Sequence, residues 1–415
     1  MSNKFLIPVY VVTIVLAFIA GIISSQYDLF SYSRKSNSNE VTPNRENIQS
    51  DAYFDYRTNK LETLISVNPE NSASIREQMT NIIFGNTLLP QALPGSVYEV
   101  QDTLYGDIFN LSRIEQFEII QGYNIRSVGY IFKPKEDNHR LFIYHQGHDG
   151  DFIIGKPTIK YFVNQGFTVY AFCMPLLGKN NQPVVEIDKI GRFKLTHDDM
   201  MGHESMKSLD HPISFFVTPV VTMINYAQAK RFRDITMCGI SGGGWTTTIV
   251  SAIDTRINYS FPVAGSSPMY IKLSSPLNSY GDFEQNYLPL YTKIGYLDMY
   301  VLGATGKNRF QVQVLNLHDP CCFEGTFFQH YEPFVTALVK EFDHGSFQVM
   351  SDTLNLNHEI SDFAMNQINE KLINAKNILK RGLNPNNPSD GTKDLDKDGY
   401  TNVEEFLNGT PVHSR

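Results

Sequence analysis

Apolar and polar positions divide the chain into strand-like and helix-like segments. From residue 141 onward, continuous apolar runs alternate with helical spacers. The runs are LFIYHQG at 141, FTVYAFC at 167, ITMCGI at 235, INYSFPVA at 257, FQVQVLN at 310 and SFQVMSD at 346. Continuous apolar strands separated by helices are typical of a parallel sheet covered on both faces. The pattern therefore predicts an α/β fold with a mostly parallel central sheet and helices on both faces.

Other segments depart from this alternation. IEQFEII and IRSVGYIFKP, separated by the turn-prone QGYN, predict a β-hairpin, and a helical region precedes it from about residue 53. The spacers at 179–212 and 267–305 are long for simple connections. We expect them to form two lid-like insertions that could shape a substrate surface.

The N-terminal segment is an uncharged apolar run, FLIPVYVVTIVLAFIAGII, from Phe5 to Ile23. Its length suits a helix that crosses a bilayer, so residues 1–23 predict a transmembrane anchor and the membrane as a partner. A cleaved signal peptide is the alternative, although no clear A-x-A site follows the run. Residues 24–52 are polar and rich in Ser and Asn, as in a linker. Both interpretations export the domain at 53–380, either anchored and periplasmic or extracellular, or secreted.

Composition narrows the range of partners. The chain has 43 acidic and 35 basic residues, a net charge of -8, and no long cluster of Lys or Arg, which argues against a nucleic-acid surface. The four cysteines lack the spacing of a zinc site. Cys238 lies in an apolar run and is expected in the core, and the neighbours Cys321 and Cys322 are not expected to pair with each other.

The segment MCGISGGGWTT contains the main candidate for chemistry, Ser241. G-x-S-x-G alone is a weak signal. Here, however, the strand ITMCGI precedes the serine and the helical segment WTTTIVSAI follows it. This is the strand-turn-helix context of a nucleophile elbow, in which a sharp turn exposes the serine hydroxyl. The context favours a nucleophile over an incidental serine in a glycine loop.

A serine nucleophile needs a base to take its proton and an acid to orient that base. The elbow predicts the chain order Ser, acid, His. His358 follows the last predicted strand, and Asp319 follows the strand FQVQVLN, so both are expected at the carboxyl edge of the sheet. Asp352 stays open as an alternative acid, and His318 as a competing base.

Acyl transfer also requires N–H groups directed at the oxyanion of the tetrahedral intermediate. The amide of Gly242, directly after the nucleophile, is one candidate. The second is expected in the loop HQGHDGD after the strand LFIY, with the His148 amide favoured and Gln146 as the alternative. We expect the side chains of His145 and His148 to be structural.

These segments together resemble the α/β-hydrolase superfamily. GISGGGW after one strand, HQGH after an earlier strand, and Asp319 and His358 after later strands occur in that family's order over about residues 95–375. The HQGHDGD loop and the GISGGGW motif look like bacterial esterases of the acetyl-esterase and dienelactone-hydrolase kind. The resemblance implies hydrolysis of an ester through an acyl-enzyme, without a cofactor for catalysis. The inserted Gln146 departs from the His-Gly pair that many members carry.

The tail at 381–415 contains a second motif, DLDKDGYTNVEEF, which fits the calcium-loop pattern D-x-[DN]-x-[DN]-G-x5-E. The expected ligands of a structural Ca²⁺ are Asp394, Asp396, Asp398, the Tyr400 carbonyl and Glu405. The preceding GLNPNNPSDGTKD is too rich in Pro, Gly and Asn for the first helix of a full EF-hand. The loop instead resembles dockerin-like or thrombospondin-type-3-like calcium loops of secreted enzymes that act on polysaccharides.

The sequence thus predicts an exported serine esterase with Ser241, His358 and Asp319 as its triad. The substrate is expected to be a small-molecule or carbohydrate ester, such as an acetylated carbohydrate. Two alternatives stay open: a peptidase or amidase on the same fold, and a non-catalytic calcium-binding surface protein.

Overall fold

The apolar runs after residue 140 form adjacent strands of one central sheet. The computed structural model describes residues 61–188, 190–198, 208–274, 281–380, 391–394, 397 and 399–408. The strands are β1 (Ser96–Val100), β2 (Leu111–Ile120), β3 (Arg126–Pro134), β4 (Leu141–His145), β5 (Thr168–Phe172), β6 (Val184–Ile187), β7 (Gly191–Lys194), β8 (Ile235–Ile240), β9 (Tyr259–Val263), β10 (Phe310–Asn316) and β11 (Phe347–Asp352). The helices are α1 (Ser72–Phe84), α2 (Lys156–Asn164), α3 (Ser214–Gln228), α4 (Gly242–Ile253), α5 (Met269–Ser274), α6 (Leu288–Tyr291), α7 (Tyr296–Ala304), α8 (Glu332–Glu341), α9 (Asp362–Lys380) and α10 (Asn402–Asn408).

The strand order places the loops after β4 and β8 side by side. The nine-stranded sheet has the order β1-β2-β3-β5-β4-β8-β9-β10-β11, and the strands from β5 to β11 in this order run parallel. The chain moves outward from β4 to β5 and then returns to add β8 on the other side of β4. Such a reversal leaves a crevice at the carboxyl ends of the two strands, where α/β proteins bind ligands.

The predicted hairpin is present and extends the sheet on one side. β2 and β3 pair antiparallel around a short turn at Gly122–Asn124, and β3 pairs antiparallel with β5. β1 adds a further antiparallel edge strand, with Ser96 opposite Glu118. The edge strand β1 carries no fully buried side chain, which explains why its apolar pattern did not reveal it.

The core lies on both faces of the sheet. Successive residues of β4 point to opposite sides, so that Leu141 and Ile143 pack in one apolar cluster and Phe142 and Tyr144 in the other. Residues of α1, α3, α4, α7 and α8 pack in the first cluster, and residues of α2 and α9 in the second. The expectation of helices on both faces of a largely parallel sheet is confirmed.

The two long spacers differ in structure. The first contains a separate β6–β7 hairpin, with Val184 opposite Lys194. The second contains the short helices α5 and α6, but α7 within it is buried along its whole length and packs on α4, β10 and α8. The helix α7 is therefore the crossover between β9 and β10. The predicted lid at 267–305 therefore includes too many residues, because α7 within this range is an apolar helix of the core.

Several predictions concern residues outside the described ranges. They include the anchor at Phe5–Ile23, the linker at 24–52 and the calcium-loop residues Asp396 and Asp398. Within the described ranges, no helix combines the length and the apolar character that a membrane crossing needs.

Candidate active site

Ser241 stands at the sharp turn between β8 and α4. Its backbone has φ 56° and ψ -123°, a conformation that is strained for any residue with a side chain. The turn is held from both sides, because the Ser241 amide donates to the Val263 carbonyl at 3.0 Å and the Trp245 amide donates to the Ser241 carbonyl at 2.9 Å. Ser241 is 9% exposed. This is the backbone arrangement that a nucleophile elbow requires.

Glycines around the turn allow unusually close backbone contacts. A Cβ atom on Gly243 would lie 2.1 Å from the His145 carbonyl oxygen, and one on Gly147 would lie 2.7 Å from the Ser241 Cβ atom. Any larger residue would push the loop after β4 away from the elbow. The glycines therefore bring the loop directly against Ser241.

Asp319 and His358 form a hydrogen-bonded pair at the same edge of the sheet. The His358 Nδ1–H donates to the Asp319 carboxylate, with both oxygens at 2.9 Å. Burial alone would raise the pKa of Asp319. The hydrogen bond and charge of His358, with the Cys321 and Cys322 amides, outweigh burial and lower this pKa below its usual value. The carboxylate is therefore ionised and holds the imidazole in one orientation.

The two alternative residues lie elsewhere. Asp352 is buried and accepts from the Leu354 and Asn355 amides, both at 3.0 Å, and from the Ser361 hydroxyl. Asp352 thus organises the loop that carries His358. The side chain of His318 is exposed.

Ser241 and His358 lie at the carboxyl ends of β8 and β11, on the edge where Asp319 follows β10. The His358 Nε2 atom is buried and has no hydrogen-bond partner among the described residues. Serine and base are often further apart without substrate than during the reaction. Asp319 and His358 are therefore hydrogen-bonded to each other. His358 Nε2, the nitrogen that would take the serine proton, accepts no hydrogen bond from another described residue.

The loop after β4 contains His148, whose amide is the second expected oxyanion donor. The Gln146 amide donates to the Phe172 carbonyl at 3.0 Å, which removes the alternative donor. The amides of Gly242 and His148 make no hydrogen bond to another described residue. The His148 ring packs against Gly242, since a Cβ atom there would lie 2.4 Å from the ring carbon Cε1.

The two histidine side chains of this loop have different environments. His145 is buried, stacks on Phe172 and lies 2.8 Å from the Gln146 carbonyl oxygen through Nδ1; burial lowers its pKa to about 4. His148 instead lies between two carboxylates of the second insertion, Asp282 and Glu284. Burial lowers the pKa of His148, but the hydrogen bond and charge of Glu284 and the charge of Asp282 raise it overall above its usual value.

Sequence reasoning did not identify Asp282, Glu284 or the neighbouring His197 as functional residues. His197 lies in the first insertion, and its ring centroid is 5.1 Å from that of His148. No motif marks these residues. The one available signal was the unusual length of the two spacers that contain them.

One prediction about the cysteines is confirmed and one is wrong. Cys238 is fully buried in the core, as expected. Cys321 and Cys322 form a disulfide, so the expectation that these neighbours stay unpaired is wrong. Their amides both donate to Asp319 Oδ1, at 2.9 and 3.1 Å, and this turn explains why the two residues lie beside the acid.

The described part of the tail resembles half of a calcium loop. The Gly399 amide donates to Asp394 Oδ2 at 3.0 Å, while Asp394 Oδ1 is buried without a hydrogen-bond partner among the described residues. Glu405, the last ligand position of the predicted loop, is buried in α10, which begins at Asn402. A buried acceptor without a donor fits a hard cation, and Asp394, Glu405 and the Tyr400 carbonyl are oxygen ligands of the type that Ca²⁺ prefers.

Comparisons with known proteins concern the fold. No protein-family model and no curated protein matches the sequence. A structure titled "Methylesterase BT1017" matches 77% of this chain with 14% identity and a TM-score of 0.50. An acetyl xylan esterase from Paenibacillus sp. R4 matches 75% of the chain (14% identity, TM-score 0.47, 98% of that protein), and a glucuronoyl esterase from Solibacter usitatus matches 72% (9% identity, TM-score 0.47, 91% of that protein).

The match with the methylesterase spans 65% of that protein, which is less than two thirds of its length. The likeness shows that this chain has the same α/β fold with a largely parallel central sheet. Its chemistry has to be argued from its own residues.

Proposed function

We propose that the protein is a serine esterase that hydrolyses a carboxylic ester through an acyl-enzyme. The observation that carries this proposal is the Asp319–His358 pair, formed at the sheet edge where Ser241 occupies a strained turn after β8. A buried aspartate that orients a histidine beside an elbow serine is the arrangement used for acyl transfer.

In the proposed reaction, His358 Nε2 takes the proton of Ser241 Oγ as this oxygen attacks the ester carbonyl. Asp319 accepts the hydrogen bond from Nδ1–H and stabilises the imidazolium. The amides of Gly242 and His148 donate to the oxyanion. Collapse of the intermediate breaks the ester C–O bond, and His358 returns the proton to the departing alcohol. Water then releases the acid in the same way and restores Ser241.

The proposal also includes the class of substrate and the location of the protein in the cell. The calcium-loop motif of the tail and the resemblance to acetyl esterases favour an acetylated carbohydrate. The apolar run at Phe5–Ile23 favours an exported domain that is anchored to a membrane. Catalysis would need no cofactor.

The test is labelling with a fluorophosphonate, which reacts with activated serines, and mapping of the modified residue by mass spectrometry. We expect stoichiometric labelling at Ser241 and hydrolysis of p-nitrophenyl acetate. Ser241→Ala should lose at least about 10³-fold in kcat with an unchanged circular dichroism spectrum.

Two results would contradict the proposal. Absence of labelling in folded protein would favour a non-catalytic surface protein. Labelling with turnover of aminoacyl anilides but not of esters would favour a peptidase or amidase.

A further inference from the structure

A cluster of imidazoles and carboxylates lies against the elbow, and these side chains have no part in the proposed reaction. His148 Nδ1 is 3.1 Å from Asp282 Oδ2, and His148 Nε2 is 3.0 Å from Glu284 Oε1. One potential ligand atom from each of His148, Asp282 and Glu284 lies within 4.8 Å of the other two. Ligand atoms around one metal ion lie a few ångströms apart, so these three side chains can bind a single ion once they shift toward it.

Glu284 is unusual because its carboxylate is buried and only partly satisfied. The side chain is 0% exposed, and Oε2 has no hydrogen-bond partner among the described residues. A buried carboxylate oxygen without a partner is strongly unfavourable. The charge of Lys272 also acts on Glu284, but no donor among the described residues reaches Oε2, so this oxygen can bind a further cation.

His197 lies beside the same cluster, with its ring centroid 5.1 Å from that of His148, and it has an available lone pair. This residue is 6% exposed, and its Nδ1–H donates to the Pro175 carbonyl at 2.7 Å. The hydrogen bond fixes the tautomer, so the lone pair is on Nε2, and Nε2 is buried without a partner among the described residues. A histidine that donates one N–H to a backbone carbonyl and keeps the other nitrogen free is in the form that binds metal ions.

We propose that His148, Asp282 and Glu284 bind a divalent metal ion of the Zn²⁺ class, with His197 as the fourth ligand. Two imidazoles and two carboxylates suit Zn²⁺ and neighbouring first-row ions, whereas Ca²⁺ takes oxygen ligands only. This site is separate from the calcium loop of the tail.

The ion would join three segments that are distant in sequence. His148 belongs to the loop after β4, His197 to the first insertion, and Asp282 and Glu284 to the second. Because the His148 ring packs on Gly242, the ion would fix both insertions over the carboxyl edge of the sheet. The proposal does not depend on esterase activity.

The test is isothermal titration of the full chain, purified without a polyhistidine tag, stripped with chelator and titrated with Zn²⁺ in excess Ca²⁺. We expect one Zn²⁺ per chain and at least about 100-fold weaker binding in Glu284→Gln and His148→Gln. His197→Gln should weaken binding about 10- to 100-fold. Asp282→Asn gives a second test, because its exposed side chain can be replaced without disturbing the core.

Matched controls separate this site from others. Glu405→Gln, in the calcium loop, and His139→Gln, at an exposed histidine, should bind Zn²⁺ as the wild type does. Ser241→Ala should also bind normally, so a failed esterase proposal would leave this result intact. Stripped wild-type protein that binds Zn²⁺ no more tightly than Glu284→Gln and Asp282→Asn would overturn the proposal. Unchanged affinity in His197→Gln would overturn the role of His197.

Discussion

At the scale of single residues, the carboxylate of Asp319 has an unusually complete set of donors. It accepts from His358 Nδ1, from the Cys321 and Cys322 amides, and from Asn316 Nδ2 at 3.1 Å. Each of these donors favours the ionised carboxylate. An amide at this position would retain the volume but could not accept from all of them.

We therefore expect Asp319→Asn to lower kcat about 10³- to 10⁴-fold, because the imidazole loses its oriented tautomer. The measurement is the steady-state rate with p-nitrophenyl acetate. Asp352→Asn is the matched control and should change the rate less than about tenfold in protein shown to be folded. A larger loss in Asp352→Asn than in Asp319→Asn would reverse the assignment of the acid.

The buried His145 gives a prediction about pH. Burial lowers its pKa to about 4, whereas an exposed histidine in the unfolded chain has a pKa of about 6.5. Between these values the unfolded chain binds a proton that the folded chain excludes. Folding is therefore less favourable as pH falls from 6.5 to 4, by up to about 3 kcal/mol.

In His145→Asn this contribution to the pH dependence should disappear. The measurement is the urea midpoint at pH 7 and pH 4.5 for the variant and the wild type. His139→Asn, at an exposed histidine, should retain the wild-type dependence. Equal shifts in all three proteins would contradict the argument.

Residue types and chain order were enough to predict that Ser241, Asp319 and His358 lie at one edge of the sheet, because each follows a predicted strand whose carboxyl end lies there. The partners of His148 could not be predicted in the same way. Asp282 and Glu284 lie more than 130 residues further along the chain, in an insertion without periodic pattern. Their position depends on how the insertions fold over the sheet.

At the scale of elements, two guanidinium groups join the ends of α4 and α7. Arg309 is buried and donates to the carbonyls of Ser251, Leu302 and Thr305, and also to that of Ile257. Arg76 donates to the Ala252 and Leu302 carbonyls. The last carbonyls of a helix have no partner within it, and a cation there also complements the helix dipole.

Arg309→Lys should lower the free energy of unfolding by about 2–4 kcal/mol, because an ammonium cannot reach all these carbonyls. Chemical denaturation measures the change. Arg113→Lys, which alters an exposed ion pair with Glu115, is the control and should change stability by less than about 0.5 kcal/mol. A similar effect of both substitutions would show that the hydrogen bonds of the buried Arg309 guanidinium add nothing to the free energy of unfolding.

Elements were predicted best where burial is continuous. The strands β4, β5, β8 and β9 were predicted correctly because they are buried on both faces and largely apolar. The turn between β2 and β3 revealed the hairpin. α7 was assigned to a lid because the sequence gives no sign of which helix crosses from β9 to β10. Which helix forms this crossover depends on packing against α4, which lies about fifty residues away in the chain.

At the scale of the whole molecule, the predicted calcium loop and the candidate active site belong to separate parts of the chain. Asp394 precedes α10 and Glu405 lies within it, both more than thirty residues after His358. We expect the tail to bind Ca²⁺ without contributing to the reaction.

Glu405→Gln should bind Ca²⁺ at least about tenfold more weakly, because the loop loses its closing carboxylate. Its kcat/KM should stay within about twofold of the wild type, because the triad is unaffected. Calcium titration and ester hydrolysis measure the two quantities. A parallel loss of activity would show that the tail supports the catalytic domain.

The order of the strands along the chain also determines when the site can be completed during synthesis. A ribosome releases the loop after β4 first, then Ser241, then Asp319, and His358 only after the edge strand β11. A nascent chain that ends before β11 already contains the serine but lacks its base. Ester hydrolysis of the kind proposed here can therefore begin only once translation has passed residue 358, when nearly the whole sheet is available to hold the three residues together.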